Sequence, residues 1–294
     1  MGGRAHAPSV ALATWAELPA LSPDDQLLVG ALATEGIAAT PAVWSEGSTP
    51  WERFDLVIVR STWDYHRHLA EFLAWVDRVD RCTRLLNVAR TLRWNSQKTY
   101  LRDLQKARVP TVPTAWGSEL STVVPELRRR GWTEAVMKPD VSANADRTHR
   151  VGLAEPDRAE QLFRDLRASG EVLVQPYMTT VDGAGEHSLV FLDGALSHAV
   201  VRAPRLSMGS PLVEGTPTAA SEEEVAVGRA AMATVTPRPL YARVDLVADG
   251  AGHPRVMELE LIEPYLYLGS APGSAARLAR SVRGRLEEPS EPSG

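Results

Sequence analysis

Short apolar runs alternate with amphipathic stretches through the first third of the chain. Val10–Thr14, Ile37–Val43 and Phe54–Arg60 (FDLVIVR) read as strands, the last apolar enough for the middle of a parallel sheet. Ser22-Pro23-Asp24-Asp25 opens a helix, with proline in the first turn and acids at the positive end of the dipole. That helix should run to about Glu35, where Gly36 stops it. Leu69–Val79 (LAEFLAWVDRV) carries apolar residues at the spacing of one helical face, and Leu85–Leu86 is a further short strand. Strands alternating with helices predict an open parallel sheet.

The pattern changes after Leu92. Gln97–Lys106, Leu120–Arg130, Asp157–Ala168 and Ala275–Leu286 read as helices. Val112–Ala115, Ala135–Lys138 and Val172–Gln175 read as strands, with a polar loop over Asp140–Arg150. His187–Phe191 and Leu196–Val201 flank the Asp193-Gly194 turn. Past a Gly/Pro/Ser-rich stretch, Leu240–Val247 and Arg255–Leu261 flank a second turn at Asp249–Gly252. Both pairs predict antiparallel hairpins. Glu287–Gly294 reads as a frayed tail.

Composition narrows the possible chemistry. A chain of 294 residues, 44% hydrophobic and 23% charged, is long enough for two globular units or one large α/β unit. Its net charge of −5 lacks the basic signature of a dedicated nucleic-acid binder. One cysteine, Cys82, excludes an intramolecular disulfide and a cysteine-ligated zinc site. No apolar run has the length of a membrane span, and the opening MGGRAHAPSVALATW reads as no signal peptide, so a cytoplasmic location is expected. Among the basic residues only Lys98, Lys106 and Lys138 are lysine. Where arginine is so favoured, a lysine marks either chance or a place where a broad guanidinium will not do.

There is no G-x-x-x-x-G-K-[ST] loop, no G-x-G-x-x-G after the first strand, and neither H-E-x-x-H nor G-x-S-x-G. The sharpest chemistry lies near the end. Alternation along a strand puts Arg243 and Asp245 on one face of YARVDLV, and Glu258 and Glu260 on one face of MELEL. If the two strands pair, three carboxylates converge beside an arginine. Such a set either holds Mg²⁺ or forms a solvated face of Arg–Glu pairs.

Other signals are spread out. Lys138 ends a strand before a loop with Ser142, Ala143, Asn144 and Ala145, whose small residues would let backbone N–H groups approach phosphates, with Arg147, Thr148 and His149 following. Gln175-Pro176-Tyr177 breaks a strand and exposes backbone groups suited to an adenine edge; Glu186 follows where a ribose hydroxyl acceptor is wanted. Arg60 ends a strand where open sheets bind ligands, and Ser61, Trp63, Asp64, Tyr65 and Arg67 follow it. A small zwitterion needs an anion and a cation, which Arg60 and Asp64 would supply. The alternative is that Trp63 and Tyr65 pack an interface and Asp64 caps a turn.

Taken in order, these features resemble the ATP-grasp superfamily over roughly residues 96–285. STWDYHR (Ser61–Arg67), ARTLRWNSQK (Ala89–Lys98), GEHSLVF (Gly185–Phe191) and MELELIEP (Met257–Pro264) resemble a narrower branch that holds the D-cycloserine synthetase type, and more distantly the glutathione-synthetase-like ligases. The resemblance implies an α/β ATP-grasp fold with an N-terminal Rossmann-like pre-ATP-grasp domain over 1–95. It implies an ATP-grasp domain over 96–288, with subdomains about 110–178 and 179–288, before a flexible tail at 289–294.

The same resemblance implies roles. Lys98, Lys138 and Ser142 would serve the nucleotide, Gln175 and Tyr177 its adenine, and Glu186 its ribose. Arg202 and Arg243 would act on the transferring phosphoryl group, and Asp245, Glu258 and Glu260 would hold two Mg²⁺ ions. Glu260 stands where the family usually has asparagine. Arg60, Ser61, Trp63, Asp64, Tyr65, Asn144 and His149 would meet an amino-acid-like substrate. The implied reaction is ATP-dependent activation of a carboxylate as an acyl phosphate, then attack by an amine. The best-matching case is cyclisation of O-ureido-D-serine to D-cycloserine, with Asp140–Arg150 and Leu206–Thr218 as lids against water. An intermolecular amide ligase and a non-catalytic nucleotide-binding scaffold are the alternatives. A homodimer is implied by the superfamily alone.

Overall fold

The computed structural model describes residues 7–143, 145–168, 170–203 and 214–288. A four-stranded parallel sheet comes first, built from β1 (Ser9–Thr14), β2 (Ala38–Val43), β3 (Leu56–Ser61) and β4 (Arg84–Leu86) in the order β2-β1-β3-β4. The apolar strand at Leu56 is indeed central. Its connections are α1 (Pro23–Thr34) and α2 (Leu69–Cys82). Ser22 caps α1 by accepting from Asp25 N–H at 3.1 Å. Gly36 ends it at φ 71°, where a side chain would be strained. Phe72, Trp75, Val76 and Val79 are the buried stripe of α2.

After α3 (Ala89–Asn95) and α4 (Tyr100–Lys106) comes an antiparallel sheet. It contains β5 (Ala115–Gly117), β6 (Glu134–Pro139), β7 (His149–Gly152) and β8 (Val172–Pro176) in the order β5-β8-β6-β7, with α5 (Leu120–Arg129) and α6 (Pro156–Arg167) joining the strands. The short α7 (Val181–Ala184) leads to a second antiparallel sheet. That sheet is built from β9 (Glu186–Leu192), β10 (Ala195–Arg202), β11 (Thr216–Thr218), β12 (Tyr241–Ala248) and β13 (Pro254–Glu260), in the order β11-β10-β9-β12-β13. Both predicted hairpins are present, β9–β10 and β12–β13. Helices α8 (Glu222–Met232) and α9 (Ser274–Glu287) complete the described chain.

The five-stranded sheet is covered on both faces. Leu189, Phe191, Val244 and Leu246 pack with Val227 and Ala231 of α8. Val190, Leu192, Val200 and Tyr241 share a second core with Leu12 and Ile58 of the parallel sheet and with Leu278 and Val282 of α9. The latter face is apolar at one end and charged at the other, and the charged end is the site.

Several elements differ from expectation: β5 lies over Ala115–Gly117 rather than Val112–Ala115, and α7 and β11 fall where none was expected. Helix α8 lies inside the stretch taken as irregular; its signal was the capping box of Ser221 and Glu224, diluted by the Gly and Pro before it. Helix α3 falls where no element was expected. The loop after Lys138 ends early, because His149–Gly152 pairs with β6. The helix expected from Gln97 begins at Tyr100.

Candidate active site

Strand register gathers charged groups from four strands onto one face. Arg202 on β10 lies opposite Glu186 on β9, and Ser188 on β9 opposite Asp245 on β12. Asp245 and Arg243 in turn lie opposite Glu258 and Glu260 on β13. Opposed residues of a ladder share a face, so the convergence expected from alternation is realised. The turn into β9 needs glycine: Gly185 has φ 76°, and a Cβ there would stand 2.8 Å from the Arg202 carbonyl oxygen.

Asp245 is the hub of this face. It is 0% exposed. Its Oδ1 accepts from Arg243 Nε at 2.8 Å and from the Ser188 hydroxyl at 2.7 Å. Its Oδ2 accepts from Arg202 Nη2 at 2.7 Å and Arg243 Nη2 at 2.9 Å. Burial pushes this carboxyl up, but the two guanidiniums hold it below the ordinary aspartate value. Arg202 also binds Glu186 at 2.6 Å, and Arg243 reaches Glu260. Glu186 is pushed up to about 7 by burial, against the pull of Arg202.

On the neighbouring strand, Glu258 Oε1 lies 2.9 Å from Lys138 Nζ and 3.3 Å from Lys98 Nζ. Burial raises this carboxyl, and the two ammonium groups outweigh it and hold it well below the usual carboxylate range. Lys98 also donates to the Ser142 carbonyl at 3.0 Å.

Two chambers open on these groups. One, of about 800 Å³, lies between the two antiparallel sheets and is lined by Val136, Lys138, Gln175, Tyr177, Met178, Glu186 and Met257. The other, of about 590 Å³, is lined by Trp63, Tyr65, Asn95, Lys98, Tyr100, Ser142, Arg243, Glu263, Tyr265 and Tyr267. Arg202, Glu258 and Glu260 line both and form the wall between them. Ser142 and Ala143 border the second chamber and Ala145 and Thr148 the first, so the loop after Lys138 lies over both. Gln175 Nε2 donates to the Thr114 hydroxyl at 2.9 Å, and the Arg150 guanidinium stacks 3.6 Å over the Tyr177 ring.

Several predicted site residues lie elsewhere. Asp245 does not reach the cleft, because both its oxygens are spent on arginines in the interior. Arg60 is 1% exposed; its Nε donates to Asp25 at 2.7 Å and its Nη2 to the Pro264 carbonyl at 2.9 Å, while its guanidinium lies 4.7 Å over the Tyr241 ring. Ser61 donates to the same Asp25. Asp64 accepts from the Trp44 indole at 2.8 Å and neither faces the chamber nor caps a turn with its side chain. His149 is exposed on β7. Asn144, residues 206–213 of the second predicted lid and the tail at 289–294 lie outside the described residues. Thr216–Thr218 of that lid forms the edge strand β11.

The sequence reading missed other residues. Asn95 bridges β13, donating to the Leu259 carbonyl at 2.8 Å and accepting from Leu261 N–H at 2.7 Å. The Tyr100 hydroxyl accepts from Leu259 N–H at 3.0 Å. Glu263 was legible only as the last acid of MELELIEP, out of phase with the alternation of Glu258 and Glu260.

Among the described residues no three carboxylate, imidazole or thiol groups stand close enough to hold a metal ion by themselves. Glu258 and Glu260 nevertheless both face the wall between the chambers. Two carboxylates suit Mg²⁺, which keeps several waters and takes its remaining ligands from substrate phosphates.

The fold has solved counterparts. The ATP-grasp ligase PsnB, in a complex with minimal precursor, Mg and ADP, superposes with a TM-score of 0.68 at 16% identity, covering 98% of this chain and 100% of that one. The fold is thus that of the ATP-grasp ligases. Residues 10–87 match the model of the D-cycloserine synthetase DcsG N-terminal domain. The cycloserine biosynthesis protein DcsG of Streptomyces lavendulae is 36% identical over 284 residues, covering 88% of this chain and 93% of the relative. A crystal structure of D-cycloserine synthetase DcsG superposes with a TM-score of 0.88 at 33% identity, covering 95% of this chain and 100% of that one. The chain belongs to the DcsG family of cycloserine-biosynthesis ligases. Among the described residues no helix is long and apolar enough to cross a membrane.

Proposed function

We propose that the chain uses ATP to close the ring of D-cycloserine from O-ureido-D-serine. The observation that carries this reading is the shared wall: a chamber lined in part by Val112, Val136, Met178 and Met257 and a chamber with mostly polar walls meet at Arg202, Glu258 and Glu260. In this reading adenine lies between Val136, Gln175–Tyr177, Met178 and Met257, the ribose meets Glu186, and the phosphates run past Lys138, Lys98 and the backbone at Ser142 toward the wall.

The substrate carboxylate approaches the wall from the polar chamber. A carboxylate repels nucleophiles and has no good leaving group. Transfer of the γ-phosphoryl group makes it an acyl phosphate, and ADP leaves. Arg202 and Arg243 neutralise charge on the transferring group, and Asp245 holds both guanidiniums in place. Glu258 and Glu260 would hold Mg²⁺, which would supply neutralisation of charge on the phosphate oxygens; two ions belong to this proposal. The ureido nitrogen bonded to oxygen then attacks the acyl carbon and phosphate leaves, which closes the ring; water then hydrolyses the carbamoyl group off that nitrogen, releasing ammonia and carbon dioxide. Holding both ends of one molecule in a single chamber supplies much of the rate. The loop between β6 and β7 keeps water from the acyl phosphate.

The same proposal includes the division at residues 95 and 96, a cytoplasmic location and a homodimer, the last to be read by light scattering. The decisive assay is ADP release against a panel of D- and L-amino-acid analogues, with the product weighed. O-ureido-D-serine alone should support release and yield a product of cycloserine mass. A requirement for a second amine would transfer the chain to the intermolecular ligases.

A further inference from the structure

Three carboxylates line the polar chamber, and two are already matched. Glu258 faces Lys98 and Lys138, and Glu260 faces Arg243. Glu263 also lines the chamber at 9% exposure, and among the described residues no cationic side chain stands at ion-pair distance from it. Lys98 and Arg243 act on it only from beyond ion-pair distance, and a carboxylate kept out of water without a direct partner is costly and persists where a ligand supplies the missing contact.

The backbone beneath it is clamped. The Glu263 carbonyl accepts from the Trp63 indole at 3.1 Å, the Pro264 carbonyl from Arg60 at 2.9 Å, and the Tyr265 carbonyl from Arg243 at 3.1 Å. Three consecutive carbonyls, each held by a buried donor, fix where the Glu263 side chain starts. An acid presented in this way is set for recognition before the ligand arrives.

We infer that Glu263 is the subsite for the ammonium group of the amino-acid substrate, the role that the sequence assigned to Asp64. The inference rests on the amino-acid-ligase reading above. A zwitterion then finds Arg243 and Arg202 for its acid end and Glu263 for its amine, on the walls of one chamber. Burial, and then the nearby charge of Glu260, push the Glu263 carboxyl well above its ordinary value, so an arriving ammonium restores its charged form.

The test compares O-ureido-D-serine with its deamino analogue, in which hydrogen replaces the ammonium group. Binding is measured calorimetrically with ADP and magnesium present, for the wild type, Glu263→Gln and Glu263→Asp. The wild type should hold the amino compound at least about 30-fold more tightly, the size of a lost buried charge pair. Glu263→Gln should shrink that preference to a few-fold while ADP binding stays unchanged. Glu263→Asp should keep the preference at reduced affinity. A wild type indifferent to the ammonium, or a Glu263→Gln protein that keeps the full preference, overturns the inference. Should Glu263→Gln lose ADP binding as well, Glu263→Asp decides, and unaltered affinity there overturns it. ADP release read in parallel separates the two ideas. Glu263-dependent binding without release sinks the reaction and leaves the subsite standing; release without an ammonium preference sinks the subsite alone.

Discussion

Lys98 and Lys138, far apart in the chain, meet on one carboxylate oxygen: their ammonium groups lie 3.3 and 2.9 Å from Glu258 Oε1. Each lysine brings a compact point charge on a slim stem to that oxygen, where Asp245 takes planar guanidiniums instead. In a chain with three lysines among its 32 basic residues, this convergence gives two of the three a physical reason.

Removing that oxygen's charge should strike chemistry and stability together. Glu258→Gln leaves two buried ammonium groups facing a neutral amide. Turnover should fall at least about 100-fold, and unfolding free energy by about 3 kcal/mol. ADP-release kinetics and denaturant melts would check both, and near-normal kcat would count against a place at the reacting phosphoryl group.

Asp245→Asn should behave differently, because Asp245 binds arginines and faces no chamber. Stability should drop by about 3–5 kcal/mol, as for any buried charge pair deprived of one partner. The magnesium concentration for half-maximal activity should stay within about twofold in whatever folds, whereas Glu260→Gln should raise it. A magnesium titration of both variants makes the comparison; equal shifts would return Asp245 to the metal.

Arg60→Ala should reveal a strut. The guanidinium joins Asp25, Tyr241 and the Pro264 carbonyl across two sheets, so its loss should lower stability by about 3 kcal/mol. Substrate KM should move far less than with Glu263→Gln. A large KM rise in an otherwise stable Arg60→Ala protein would contradict this placement.

Asp24 beside it should confer a pH dependence. Burial pushes its carboxyl from 3.8 up to about 6, against a hydrogen bond from Gly269 N–H at 3.1 Å. Between those values the folded protein keeps a proton that the unfolded chain has released. Its contribution to stability is therefore full below pH 3.8 and is lost as pH rises to about 6, on the order of 2–3 kcal/mol in all. Urea unfolding at pH 4 and pH 7 should show this decline, and Asp24→Asn should remove that part of it.

Much of the fold and half of the site could be read from residue order, and the reason differs between residues. Arg243, Glu258 and Glu260 were readable because strand alternation is local: residues two apart share a face wherever the strand goes. Gln175, Tyr177 and Glu186 were readable because proline and glycine mark the breaks around them. Arg60 misled, since an arginine at a strand end looks alike whether it meets a ligand or a buried aspartate. Glu263 was overlooked because it follows the strand and obeys no period.

Propensity and spacing along the chain were enough for most strands and helices, for both hairpins and for the side chains that share a face, though not for α3 or α8. Which charges already have partners is settled only on folding. Asp25 takes Arg60, Asp245 takes two arginines, and Glu263 is left open to the chamber. Burial and long-range register set those pairings, and neither is encoded in any short stretch of residues.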